Sequence, residues 1–195
     1  MVTFSSSALP PAAFPPRAAL QALRPATGFA IRPATLADRP ALATIAAAAF
    51  AQGVAVLMPP ELRARADAAR FTCFLAATPG PLLLAEANGV PVACALATLP
   101  DPNDPPARLL GLWVSPAASG QGVGSALLAG MEDHLAELGV RSLRVRVPSG
   151  QLRALGLFRR RGYAMQTAGL RPEPVLEAML RHSVLAKPLR AAVAA

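Results

Sequence analysis

The sequence predicts an α/β fold, a mixed sheet with helices packed on both faces. Three observations carry this. Two apolar runs of strand character, 81–87 and 90–99, flank an Asn88-Gly89 pair, the dipeptide of a type I′ hairpin turn. Residues 109–147 read as strand, glycine-spaced turn, amphipathic helix and strand, a βαβ unit whose two strands must run parallel. Strands come first along the chain and the single crossover follows, so antiparallel neighbours and one parallel pair share a sheet.

The elements follow in order. Phe29-Ala-Ile-Arg32 reads as a first strand. Thr35 can cap the next helix, with Asp38 three residues on completing a capping-box pattern. Ala41 to Ala51 is alanine-rich and readily helical. Glu61 to Phe71 reads as a second helical stretch. The hairpin then occupies 81–99, and Pro102, Pro105 and Pro106 make 101–106 a loop. Leu109 to Val114 is the fourth strand. From Val123 onward, Leu127, Met131, Leu135 and Leu138 recur at helical spacing, while Glu132, Asp133 and Glu137 fall on other faces. His134 lies among those acids and is expected to be exposed. Gly139 ends the helix. Ser142 to Val147 is the next strand and Gln151 to Arg161 a short helix. Tyr163 to Ala168 and Val175 to Val184 are the last two strands, with 176–180 open to a helical reading.

Composition bounds the class. The chain has 195 residues, 53% hydrophobic and 15% charged, which suits one globular domain over 28–186. Residues 1–27 hold five prolines and three serines, and no acid precedes Asp38. They read as a disordered Ala/Pro-rich extension, or as a transit peptide directing import into an organelle; otherwise the cytoplasm is expected. Residues 187–195 read as a tail. No uninterrupted apolar run of spanning length occurs, so no membrane helix is expected. The net charge of +8 rests almost wholly on arginine, Lys187 being the one lysine. No basic patch alternates with aromatics, so the charge does not argue for nucleic acid. Arg159-Arg160-Arg161 closes a helix where cations suit the dipole. Two cysteines, Cys73 and Cys94, are too few for a disulfide scaffold or a zinc site. Cys94 sits in an alternating strand as a small buried hydrophobe.

The chemistry concentrates in 111–128. Gly120, Gly122 and Gly124 alternate as the turn enters the helix. A helix start leaves about four N–H groups without partners and a partial positive charge behind them, so a phosphate suits it. Nucleotide hydrolases would need Gly-Lys-Ser/Thr, but Ser125-Ala126 follows Gly124. A dinucleotide fingerprint would need Gly-x-Gly-x-x-Gly and an acid after the next strand, and Pro148-Ser149 stand there instead.

Val114 to Leu128 resembles motif A of the GNAT superfamily of acyl-CoA N-acyltransferases, through Val114, Pro116, Gly122, Gly124 and Leu127-Leu128. Ser119 stands where the family has Arg or Gln. Leu143 to Tyr163 is similar to motif B, with Ala154, Gly162 and Tyr163 in place, Gln151 for the asparagine and Phe158 for the tyrosine. Residues 31–50 resemble the family's first strand and helix. The resemblance covers about 28–186 and implies a mostly antiparallel sheet of six to seven strands flanked by helices. It also implies a cleft where the fourth and fifth strands splay apart.

The resemblance further implies an N-acetyltransferase that transfers an acetyl group from acetyl-CoA, without a metal, to a primary amine by direct attack. The acceptor would be a small molecule or a protein N-terminus or lysine, with no nucleic acid or membrane partner; a homodimer stays open. Leu112, Trp113, Val114, Ser119, Gly120, Gln121, Gly122, Val123, Gly124, Ser125, Gln151 and Phe158 are the implied cofactor residues. The amide of Val114 would polarise the thioester carbonyl. Phe158 has no hydroxyl to protonate a leaving thiolate, and Tyr163 is a poor substitute at a core position. The fourth strand has no carboxylate to serve as base. Glu86 is named as the base, with Asp101, Asp104, Glu173, Glu177 and His182 as further options. An alternative reading is a non-catalytic acyl-CoA-binding sensor or partner module.

Overall fold

The computed structural model describes residues 28–102 and 106–190; the expectations for 1–27, Asp104 and the end of the tail lie outside them. The described residues form seven strands: β1 (Ala30–Pro33), β2 (Leu82–Ala87), β3 (Val90–Thr98), β4 (Ala107–Val114), β5 (Ser142–Pro148), β6 (Ala164–Glu173) and β7 (Ala178–Pro188). They form one sheet in the order β1-β2-β3-β4-β5-β7-β6. Every neighbouring pair is antiparallel except β4 and β5. The helices are α1 (Arg39–Gly53), α2 (Pro60–Arg63), α3 (Ala68–Ala77), α4 (Val123–Glu137) and α5 (Leu152–Arg160). The predicted mixed sheet with one parallel crossover is the fold observed.

Side-chain alternation divides the core in two. Leu83, Ala85, Ala93, Ala95 and Ala97 pack with Leu127, Met131 and Leu135 of α4 and Phe158 of α5. The intervening Leu82, Leu84, Cys94 and Leu96 face Leu42, Ala46 and Phe50 of α1 and Phe71 and Leu75 of α3. The period of two along each strand thus sends alternate residues to opposite helical layers. Cys94 is fully buried, as expected. Asn88 and Gly89, at φ 51° and 78°, take the left-handed backbone a type I′ turn requires. Thr35 and Asp38 form the reciprocal contacts of a capping box, the Asp38 carboxylate accepting from the Thr35 amide and hydroxyl, both at 2.7 Å. Among the described residues no helix is long and apolar enough to cross a membrane.

Four local expectations need correction. The stretch 61–71 is broken: α2 ends at Arg63, and Asp67, extended at ψ 170°, caps α3 by accepting from the Arg70 amide at 2.8 Å. A good N-cap inside an apparently continuous pattern starts a new helix. The last hairpin is also longer. β6 runs to Glu173, and 174–177 turn with Glu177 at φ 51°, so 178–180 are strand. Glu132, expected on an outer face of α4, is 6% exposed. Its Oε2 accepts from Arg161 at 2.9 Å and from Lys187 at 2.7 Å; a buried carboxylate persists where cations from other elements meet it. His134 is half-buried rather than exposed; its Nδ1 is enclosed, and burial holds the ring below its ordinary basicity.

Candidate active site

β4 and β5 pair only between Ala107–Leu109 and Leu143–Val145. A bulge then shifts β4 against β3, Leu96 facing Gly111 and Ala97 facing Leu109. Such an extra residue bends its strand and strengthens the twist, and beyond it the parallel neighbours separate. The expected cleft is this gap.

Backbone parity fixes what lines it. The Ser115 amide donates to the Val92 carbonyl of the β3 side at 2.8 Å. Amide directions alternate along a strand, so Trp113 points the same way, and the N–H groups of Leu112 and Val114 point into the gap. A cavity of about 210 Å³ occupies it. Its walls include Phe50 of α1, Phe71 and Phe74 of α3, Leu110 to Val114, Val145 to Pro148, Gln151, Phe158 and Glu173. Trp113 stands edge-on to Phe71 and Phe74, with centroids 5.6 and 6.3 Å away. Glycine at 111 makes room for it: a Cβ there would lie 2.0 Å from the indole ring.

The glycine turn sits at the mouth. Gly120 and Gly122 have φ of 82° and 84°, with open space where a Cβ would project, so conformation rather than crowding calls for glycine. α4 begins at Val123 with no side-chain cap and no acid in its first turn. The Ala126 amide donates to the Gly122 carbonyl. Among the described residues the amides from Gly120 to Ser125 have no recorded backbone acceptor. Six donors therefore crowd one end of a 15-residue helix, an arrangement suited to a multiply charged anion. Gly124 lies close to β4, its missing Cβ 3.3 Å from Val114 Cγ2. Ser119 and Gln151 border a second, more open groove beside Val114 and α1. The Gln121 carboxamide donates back to the Ala117 carbonyl.

Phe158 is 3% exposed and stacks edge-on against Tyr163, with centroids 5.2 Å apart. Its ring lines the cavity; Tyr163 does not. The Tyr163 hydroxyl is enclosed, and burial, reinforced by nearby Glu132, pushes its ionisation far above the ordinary phenol range. Among the acidic options, Glu86 is not at the cavity: it pairs with Ala30 at the β1 side and its carboxylate takes two bonds from Arg32. Arg32 also grips Asp38, and these bonds hold the Asp38 carboxyl well below its usual range. Glu177 is 74% exposed beside Arg70, and Asp101 lies exposed on the loop after β3. Glu173 and His182 are brought together, 3.3 Å apart, beside the cavity. Their sequence separation gives no hint of this, because the β6–β7 turn makes the juxtaposition.

Comparison with known proteins agrees with this fold. The sequence model of an acetyltransferase (GNAT) family matches residues 43–163. No curated protein gives a sequence match. Among solved structures, the ribosomal-protein-alanine N-acetyltransferase from Brucella melitensis is 26% identical; 82% of this chain and 99% of that one align, at a TM-score of 0.61. The ribosomal-protein-S18-alanine N-acetyltransferase from Escherichia coli is 22% identical over 85% and 96% of the two chains, at 0.64. An N-acetyltransferase from Thermoplasma acidophilum in complex with coenzyme A shares the fold at 16% identity, over 82% and 98%, at 0.64.

Proposed function

The chain belongs to the acetyltransferase (GNAT) family, and on that premise we propose that it transfers an acetyl group from acetyl-CoA to a primary amine by direct attack. One observation carries the reading. Among the described residues the amides from Gly120 to Ser125 have no backbone acceptor, and this turn adjoins, through Gly124 on the cavity wall, the gap that the Leu112 and Val114 amides face. A ligand with a diphosphate at one end and an amide-bearing arm at the other matches both rows of donors. The diphosphate would take the Ser119–Ser125 turn, each charge-assisted bond contributing roughly 1.5–3 kcal/mol. The arm would run along Leu112–Val114 as an added strand would, against Gln151 and Phe158.

The chain's own groups then have defined tasks. The Val114 amide, fixed by the β3 ladder beside it, donates to the oxygen that gains charge as the carbonyl becomes tetrahedral. Phe158 excludes water from the arm without offering a proton. A thiol with an ordinary pKa near 8.5 leaves without an obligatory acid, so the missing hydroxyl is compatible with turnover. The cavity walls hold the reactants in register, the contribution that matters most when acid catalysis is weak. A cytoplasmic location and an amine acceptor, small molecule or protein, without metal, nucleic acid or membrane, complete the proposal.

The test is incubation with acetyl-CoA and a panel of primary amines, including an alanine-initiated peptide and a lysine amide, following thiol release. Release dependent on amine is expected. Tight coenzyme A binding with no turnover would instead favour the acyl-CoA-binding module, the reading that Phe158 at the motif B tyrosine position supports.

A further inference from the structure

β6 ends at Glu173, and the β6–β7 register sets His182 opposite Gly169, four positions earlier on the strand. His182 is 1% exposed. Its Nδ1 lies 3.0 Å from the Leu180 carbonyl oxygen. A carbonyl only accepts, so Nδ1 carries the hydrogen and donates it. In the neutral ring Nε2 is then an acceptor, yet it faces Glu173 Oε2 at 3.3 Å. Two acceptors do not bond to each other. The contact is satisfied when one proton lies between them, on the ring or on the carboxyl. The pair is thus arranged to hold a single exchangeable proton.

Position makes this matter. Glu173 lines the cavity shared by Val114 and Phe158, and also the smaller pocket beside it that His182 lines. Among the described residues it is the only carboxylate on either wall. It is about one-fifth exposed, while the ring behind it is enclosed, so the carboxylate is the member that can meet a ligand. Among the described residues the other charged side chains that line the smaller pocket are cationic: Arg108 from β4 and Arg144 and Arg146 from β5. From the α3 side, Arg65 and Arg70 donate to the carbonyls of Leu176 and Val175 in the turn after Glu173.

We propose that Glu173 is the base that accepts the proton of the incoming ammonium, and that His182 is a positioning residue that fixes its carboxylate and shares that proton. The proposal rests on the transfer reading above. Starting from the carboxylate beside the neutral ring, one proton passes from R–NH3+ to Glu173 and comes to lie between the two acceptors, and the freed lone pair forms the C–N bond to the thioester carbonyl carbon. The C–S bond breaks, the nitrogen's surplus proton leaves with sulfur as the thiol, and Glu173 returns its proton to solvent. The products are amide, thiol and one released proton, and nothing is oxidised or reduced.

Two measurements on the whole chain test this. The sequence contains two histidines, so imidazole 15N spectra of the ligand-free protein can resolve His182. A ring bearing hydrogen at Nδ1 is expected, with Glu173→Gln moving the His182 signals and not those of His134; a neutral ring bearing hydrogen only at Nε2 overturns the geometry. In thiol release with acetyl-CoA and the amine of the panel that the native chain uses best, E173Q is expected to lose about 100-fold in kcat/KM near neutral pH. Its coenzyme A affinity should stay within about twofold, and its deficit should shrink as pH rises and the amine deprotonates unaided. Glu173→Asp should recover part of the loss, and His182→Gln should alter the acidic limb of the pH profile. Native turnover with E173Q unimpaired across that profile overturns the inference alone. Coenzyme A binding without native turnover on any amine overturns the transfer reading and the base with it.

Discussion

Replacing Val114 by proline removes one N–H and little else from the fold. The ladder to β3 is carried by Ser115, whose amide donates to Val92 at 2.8 Å, so Val114 contributes no donor to it. On its other side β5 has already departed, the last paired residues being Leu109 and Val145. Proline also biases the preceding residue toward extended backbone, which Trp113 already has within β4. The lost side chain is controlled by Val114→Ala, which removes the same contact with Gly124 but keeps the amide. Loss of one preorganised donor to a developing oxyanion costs about 100- to 1,000-fold in kcat, roughly 2.7–4 kcal/mol. Thiol release from acetyl-CoA at saturating amine should therefore show V114P lower than V114A by about that factor. Coenzyme A calorimetry and a thermal melt report whether β4 stays intact. If both variants fold and bind coenzyme A, yet turn over within about threefold of each other, the Val114 amide is not the polarising donor.

Other consequences concern stability and reactivity. Glu132→Ala strands Arg161 and Lys187 around an emptied site. Those side chains are 32% and 24% exposed and can partly rehydrate, so the loss should fall near the low end for a broken buried pair, about 3 kcal/mol by urea titration, or about 6–12 °C in melting temperature. Asp38 has a folded ionisation below its ordinary 3.8, chiefly through hydrogen bonds from Arg32. Its stabilisation is complete above that value and is lost as pH falls below it, so the urea midpoint should drop from about pH 4 downward, and Asp38→Asn should flatten that drop at a cost of about 1 kcal/mol. Burial pushes the Cys94 thiol up to about 12, whereas Cys73 is exposed. Iodoacetamide at mildly alkaline pH should modify one thiol per folded chain and two only after unfolding; rapid double labelling of the folded protein would contradict the packing of β3.

Local chemistry explains which features the sequence made visible. Asn88-Gly89 specifies a left-handed turn by itself, and glycines at 120 and 122 mark a backbone that other residues resist, while Gly124 leaves room beside Val114. Those signals need no knowledge of distant residues, and the hairpin, the crossover and the glycine turn were all readable. Glu132 was not. Its i+3 and i+4 neighbours on α4 gave no sign that Arg161 from the end of α5 and Lys187 from β7 would close over it. The same applies to Glu173. Along the chain it is one acid among several near a proline-rich turn, and only the register of β6 on β7, together with the opening of β4 from β5, sets it on the cavity wall beside His182. Glu86 shows the converse: strand pairing delivers it to Arg32 instead. The break before α3 was visible in principle, since Asp67 is a sound N-cap residue.

The most direct test of the amide cradle from Gly120 to Ser125 is calorimetric titration of the full chain with coenzyme A and, in parallel, with pantetheine, which shares the arm but lacks the diphosphate and the phosphorylated adenosine beyond it. Two or more charge-assisted bonds to the diphosphate predict at least about 100-fold tighter binding of coenzyme A. Equal affinities, or no heat from coenzyme A, would contradict it.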